Sequence, residues 1–270
     1  PGGRPLLPRP PAGPPPGRAE ELGITVIDLH VMSTDEGAST AGLSSLELCA
    51  AYARQLERGG DDGVVALHLS KELSSTWSSA VAAAAIFDDA VRVVDTGAVG
   101  MAVGAAAMAA ARLAQDGAGL DECYALAVDI LDRSATWVYL HRLDELRRSG
   151  RISTATAVLS TALASKPIMR IEDGKIELAA KTRTQTKAFS RLVELILEGA
   201  EGEPVFVAIQ ENEARESGRR LSEMLEEVLP EGSTVMMVEL SDVLAVHAGP
   251  GSLGVSVVYS NHLKDLDLGL

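Results

Sequence analysis

The sequence predicts an α/β protein built in two domains, and three observations predict it. Between residues 23 and 140, short β-prone runs alternate with longer helical ones. That is the rhythm of a mostly parallel sheet with helices on both faces. After a polar run, RRSGRIST (147–154), the rhythm changes to one with tight turns between strands, the mark of a mixed sheet. Finally, 46% apolar against 3% aromatic residues in a chain of 270 gives an Ala, Val, Leu and Ile core large enough for both domains. The expected division is a segment 1–18, an N-terminal α/β domain 19–150 and a C-terminal α/β domain 151–270.

Residues 1–18 come first and hold eight of the twelve prolines. Proline fixes φ and lacks an N–H, so this stretch is expected to be disordered or polyproline-like, and it has no apolar core of a signal peptide. GITVIDLHVM (23–32) then reads as a buried strand. VVALHL (64–69), VRVVDT (91–96) and TWVYL (136–140) read as further strands. Leu46–Leu56, Leu73–Phe87, Met101–Ala114 and Leu120–Leu131 read as the helices between them. Past the junction come a helix at 154–164, a strand at 167–178 turning at Asp173-Gly174, and a helix at 184–198. A strand at 205–209, a helix at 213–228 and a strand at 234–240 follow. The last stretch, AVHAGPGSLGVSVVY (245–259), reads as a short strand over Val243–Val246 ending at His247, a Gly-Pro-Gly turn, and a strand over Leu253–Tyr259.

Composition excludes several functions. The chain carries 24 basic and 38 acidic residues, net −14, which argues against nucleic acid and anionic membrane surfaces as partners. Cys49 and Cys123 are too few for a disulfide framework and read as reduced thiols of a cytoplasmic protein. MAVGAAAMAAARLA (101–114) is the nearest approach to a membrane span, and Arg112 cuts it short, so no stable membrane insertion is expected. There is no P-loop, no G-x-S-x-G and no H-E-x-x-H, and the five histidines lack metal-ligand spacing.

Three hydroxyl clusters sit at strand-to-helix junctions. In ASTAGLSSLEL (38–48), Ser44 and Glu47 form a capping box, which leaves Ser39 and Thr40 free beside open backbone N–H groups. In LHLSKELSSTWSSA (67–80), Ser70 starts the helix; capping or solvent accounts for Ser74, Ser75 and Thr76, or else they face a ligand. In VVDTGAVG (93–100), Asp95 is a loop or capping acid, or an acceptor that orients a hydroxyl or histidine near Thr96. His247 is either a turn residue bonded to backbone or a side chain that meets a ligand where Gly249 and Gly251 leave space. Arg147, Arg148, Arg151 and Lys166 by themselves read as a solvated face.

Taken in order, these segments resemble the DegV family of bacterial fatty-acid-binding proteins, the FakB-type acyl carriers. STAGLS (39–44), LSSTW (73–77), DT (95–96), SGRIS (149–153) with KPI (166–168), KTRTQTKA (181–188) and HAGPG (247–251) are similar to the family's motifs and span about 38–258. The resemblance implies a two-domain DegV-like fold that holds a long-chain fatty acid, of the palmitate, stearate or oleate class, between its domains. It implies a carboxylate gripped by Thr40, Ser74 and His247, with Ser39, Ser75, Asp95, Thr96, Gly249 and Gly251 in support. Arg151 would face a partner, a fatty acid kinase that makes the acyl phosphate for phospholipid synthesis. The protein itself would be a carrier without catalytic residues or further cofactor, a monomer or weak dimer.

The sequence also departs from the family. Ala41-Gly42-Leu43 replaces Ser-Gln-Pro, Ser75 and Ser149 replace glycines, and Gln210 stands where a strand-end histidine is common. Family members usually begin with a strand ending in Thr-Asp-Ser; here the Pro-rich stretch takes that place. A central strand is therefore expected to be missing, as from a divergent, truncated or mistranslated N-terminus. Two other functions fit the residue types: an acyl hydrolase using Ser74, His247 and Asp95, and a degenerate member that serves only as an interaction protein and has no ligand tunnel.

Overall fold

A computed structural model of the chain describes residues 21–26, 30–34, 37–151 and 166–260. The Pro-rich segment, the helix expected at 154–164 and the tail from 261 lie outside them. The first strands among the described residues are β1 (His30–Thr34) and β2 (Gly37–Ala41), antiparallel, with Val31 opposite Thr40. Of the expected strand over 23–32, residues 24–26 form no strand, 27–29 lie outside the described residues, and 30–32 belong to a hairpin instead of the parallel sheet. Helix α1 (Ser45–Arg58) starts on the capping box read from the sequence. The Glu47 N–H donates to Ser44 Oγ at 3.2 Å, and the Ser44 N–H donates to Glu47 Oε1 at 3.3 Å. Strands β3 (Val64–Leu67) and β4 (Val91–Val94) pair in parallel, joined through α2 (Thr76–Ala84) and a 3₁₀ turn (Ala85–Ala90). Helices α3 (Met101–Gln115) and α4 (Leu120–Asp132) follow.

The larger layer is a six-stranded mixed sheet. Its strands are β5 (Ser134–Tyr139), β6 (Ile168–Glu172), β7 (Lys175–Ala180), β8 (Val205–Glu211), β9 (Thr234–Glu239) and β10 (Leu253–Tyr259), in the order β7-β6-β5-β10-β8-β9. Only β8 and β9 run parallel. This corrects one placement: the strand read at 136–140 does not extend the parallel sheet of β3 and β4. It pairs antiparallel with β10 and β6, strands more than 25 residues later in the chain. The short helix α5 (Asp144–Arg148) leads away from β5, while α6 (Gln185–Ala200) and α7 (Arg215–Val228) separate the later strands.

Period-2 alternation sorts the side chains of β5 to two faces. Ala135, Trp137 and Tyr139 pack with Phe189, Leu192 and Ile196 of α6 and Leu221 and Leu225 of α7. On the opposite face, Phe206, Ala208 and Val258 join the alanine-rich α3 and α4 in a second cluster that also takes in Val94. A third cluster joins Leu48 and Tyr52 of α1 to β3, β4, Ile171 and Val243. The last surprise lies before β10. Residues 242–248 form helix α8 (Asp242–Ala248), not a strand, opened by Ser241, whose hydroxyl accepts from the Leu244 N–H at 3.2 Å. His247 therefore sits in the last turn of a helix.

A candidate carboxylate site at the mouth of an apolar cavity

Two cavities among the described residues bear on the site. One, of about 380 Å³, is floored by the six-stranded sheet through Val138, Met169 and Ile171 and walled by Leu240, Val243 and Leu244. Thr40, Ser74, Ser75, Arg151 and His247 line it as well. The other, of about 450 Å³, runs along β3 between Ile24, Val26 and the alanines of α3; its polar lining includes Thr25, Gln55, Asp62, Gln115 and the Tyr52 Oη–His68 Nε2 pair, bonded at 2.8 Å. Among the described residues β3 pairs only with β4, so its other edge faces this second cavity. None of the three expected carboxylate ligands lines it. The 380 Å³ cavity lies within the size range of ligand pockets and combines an apolar interior with convergent polar groups.

The polar groups come from four remote segments. β2 carries Thr40 and α8 carries His247. Their side chains meet, Oγ1 to Nε2, at 2.9 Å across 207 positions of sequence. Ser74 precedes α2: its hydroxyl accepts from the Thr76 N–H at 3.2 Å and bonds the Thr76 hydroxyl at 3.0 Å. Thr76 Oγ1 in turn accepts from the Leu43 N–H at 3.2 Å, tying the loop after β2 to the start of α2. Gly42 makes that approach feasible, since a Cβ there would lie 2.5 Å from Ser75 Oγ. Ser74 thus both braces the turn that leads into α2 and lines the cavity.

Burial, with the Arg151 charge beside it, pulls the His247 imidazole down to about 4, so it is neutral at pH 7 and carries one N–H. The Arg151 Nε donates to the Leu73 carbonyl at 3.0 Å and its Nη1 to the Ser149 carbonyl at 3.1 Å. This half-buried guanidinium is a wall of the cavity, where sequence reading had it face a partner or solvent. Arg147 and Arg148 are exposed.

The supporting residues divide. Ser75 lines the cavity, and the Ser39 side chain lies outside the described set. Asp95 does not line it; its carboxylate pairs with Lys71 Nζ at 2.9 Å, both nearly half exposed. Thr96 is a backbone brace, its hydroxyl donating to the His68 carbonyl at 2.6 Å and accepting from the Ala98 N–H at 3.3 Å. The glycines after His247 form the turn, and neither lines the cavity. Gly249 (φ +77°) accepts from Asn212 Nδ2 and Ser252 Oγ, each at 2.6 Å. Gly251 (φ +81°) is packed so closely that a Cβ would lie 2.9 Å from the Cβ of His141. The triad of Ser74, His247 and Asp95 is therefore not assembled: Asp95 pairs with Lys71, and the His247 Nε2 is engaged by Thr40 instead of Ser74.

A family profile described as "Uncharacterised protein, DegV family" matches residues 28–260. The chain belongs to the DegV family. A DegV domain-containing protein of Corynebacterium glutamicum is 66% identical over 252 residues, covering 93% of this chain and 92% of that one. The crystal structure of a DegV family protein from the same species superposes with a TM-score of 0.91 at 65% identity, over 93% of this chain and 94% of that chain. A DegV family protein from Thermus thermophilus, described by its fatty acid binding, gives a TM-score of 0.83 at 27% identity, over 92% and 96%. Cys49 and Cys123 are free thiols, and no helix among the described residues is long and apolar enough to cross a membrane.

Sequence reading missed two cavity residues as contributors. Thr136 on β5 and Gln210 on β8 are 4% and 6% exposed and both line the cavity. A signal existed: each is a polar residue beside an apolar neighbour in a largely apolar strand.

Proposed function

We propose that this DegV protein is a carrier of long-chain fatty acids, with the carboxylate at Thr40, Ser74 and His247 and the acyl chain in the 380 Å³ cavity. The observation that carries this reading is the meeting of Thr40 and His247 at the wall of an apolar cavity that Ser74 also lines. Burying about sixteen methylenes at ~0.8 kcal/mol each gives on the order of 10 kcal/mol before ordering costs, so the chain supplies most of the affinity. A buried anion without partners would cancel that gain. Thr40, Ser74 and the His247 N–H replace its lost water, and the guanidinium N–H groups that Arg151 leaves unbonded supply the opposite charge. The Thermus relative's fatty acid binding supports the reading.

Anchoring the carboxylate fixes which end of the ligand faces the rim, which is what a separate kinase would need to form an acyl phosphate. That hand-off is part of the proposal, with the protein as a non-catalytic carrier subunit. Denaturing extraction of purified protein followed by mass spectrometry is expected to release a long-chain fatty acid. Empty protein that also ignores added palmitate and oleate would overturn the reading.

A further inference from the structure

The floor of the cavity carries a feature that an unsubstituted alkyl chain leaves unused. Thr136 shares the cavity face of β5 with Val138 and stands opposite Ile171 on β6 and Ser256 on β10. It is 4% exposed, and its hydroxyl makes no hydrogen bond with any described residue. Gln210 lines the same cavity from β8. Its Oε1 accepts the Met101 N–H at 3.1 Å at the start of α3, which fixes the amide and leaves Nε2 with only a 3.4 Å contact to Ser256 Oγ. The residue opposite Gln210 on β10 is Gly254, which has no side chain to cover that amide. A hydroxyl and an amide N–H thus face a cavity whose floor also carries Val138, Met169 and Ile171.

Buried polar groups are normally bonded, and covering them with a hydrocarbon tail forfeits their hydration without return. We propose that Thr136 and Gln210 form a second recognition point on the cavity floor, for an oxygen substituent on the acyl chain, so that the preferred ligands are hydroxy or oxo fatty acids. This rests on the cavity being the fatty-acid site, and it deepens that reading by naming the ligand class. Thr136 is the specificity determinant, since it can donate to a keto oxygen or exchange hydrogen bonds with a hydroxyl. Gln210 adds an N–H from a position that α3 holds fixed.

The test is calorimetric titration of the full chain with stearate and with a positional series of hydroxystearates, in the wild type, Thr136→Val and Thr136→Ser. Valine keeps the shape of threonine and removes the hydroxyl; serine keeps the hydroxyl. At least one isomer is expected to bind the wild type about tenfold more tightly than stearate. That preference should disappear in Thr136→Val, which should bind stearate at least as well as the wild type does, and survive in Thr136→Ser. Stearate binding with no isomer preferred, or a preference undiminished in Thr136→Val, would overturn the proposal while leaving the fatty-acid reading standing. Failure of stearate and every isomer to bind folded wild type would overturn both.

Discussion

Replacing His247 with alanine separates the grip on the carboxylate from the enclosure of the tail. In the free protein the imidazole is neutral, held at about 4 by burial and by the Arg151 charge, and it bonds Thr40 at 2.9 Å. A carboxylate arriving beside it raises that value, because an adjacent anion favours the imidazolium. A hydrogen bond to a charged group contributes about 1.5–3 kcal/mol, so His247→Ala should weaken palmitate binding by about 10- to 100-fold. The acyl chain contributes on the order of 10 kcal/mol, so binding is weakened and not abolished.

The pH dependence gives a second handle. Between the ordinary value of 6.5 and about 4, the unfolded chain holds a proton on His247 that the empty native protein does not. Native stability therefore falls as pH falls through that window. Ligand binding reverses the sign at this residue: the complex takes up the proton, so wild-type affinity should rise as pH falls from 7.5 to 5.5 while the ligand remains ionised. The assay is displacement of a fluorescent fatty acid across that range, with melting curves for each protein. Affinity of His247→Ala within about twofold of wild type, with the same pH slope, would refute the assignment of His247 as a carboxylate ligand.

Three further outcomes follow from the same geometry. Gly42→Ala places a Cβ 2.5 Å from Ser75 Oγ and 3.0 Å from Thr76 Oγ1 and should displace the loop that follows Thr40, with loss of fatty acid affinity measured by the same displacement assay. Gly251→Ala meets a positive φ and the His141 Cβ at 2.9 Å, a strain of about 1–3 kcal/mol, so its melting temperature should drop by several degrees. Fatty acid affinity of that variant, measured below the transition, should hold; lost affinity at unchanged melting temperature would mean that the glycine serves the head group after all. Asp95→Asn removes only the exposed partner of Lys71, and palmitate affinity should stay within about twofold; a large loss would return Asp95 to the site.

The α/β class, the capping box on α1 and the shift to a mixed sheet were legible because they rest on local periodicity and local hydrogen bonds. The order of strands was not. β5 reads as the next strand of the parallel series, yet its partners β6 and β10 lie far along the chain, and nothing in TWVYL says which edge it will join. Residues 243–246 are four apolar positions, too few to tell a strand from a helical turn. Ser241 before them and Gly249 after them were cap signals that favour helix, outweighed by the β-prone valines. Arg151 read as outward-facing because a charged residue in a polar run normally is; the Leu73 carbonyl that turns it inward comes from a remote loop. Thr40, Ser74 and His247 were named through family resemblance, since Ser74 and His247 alone had bland readings as cap or turn residues and Thr40 showed only open N–H groups beside it. Thr136 and Gln210 needed only the question of which face of the strand they occupy.

The most direct measurement is a crystal structure of the full chain grown with palmitate. The account predicts the carboxylate within hydrogen-bond distance of Thr40, Ser74 and His247, with the chain running over Val138 and Ile171. Ligand lodged instead in the cavity along β3, with those three side chains untouched, would contradict it.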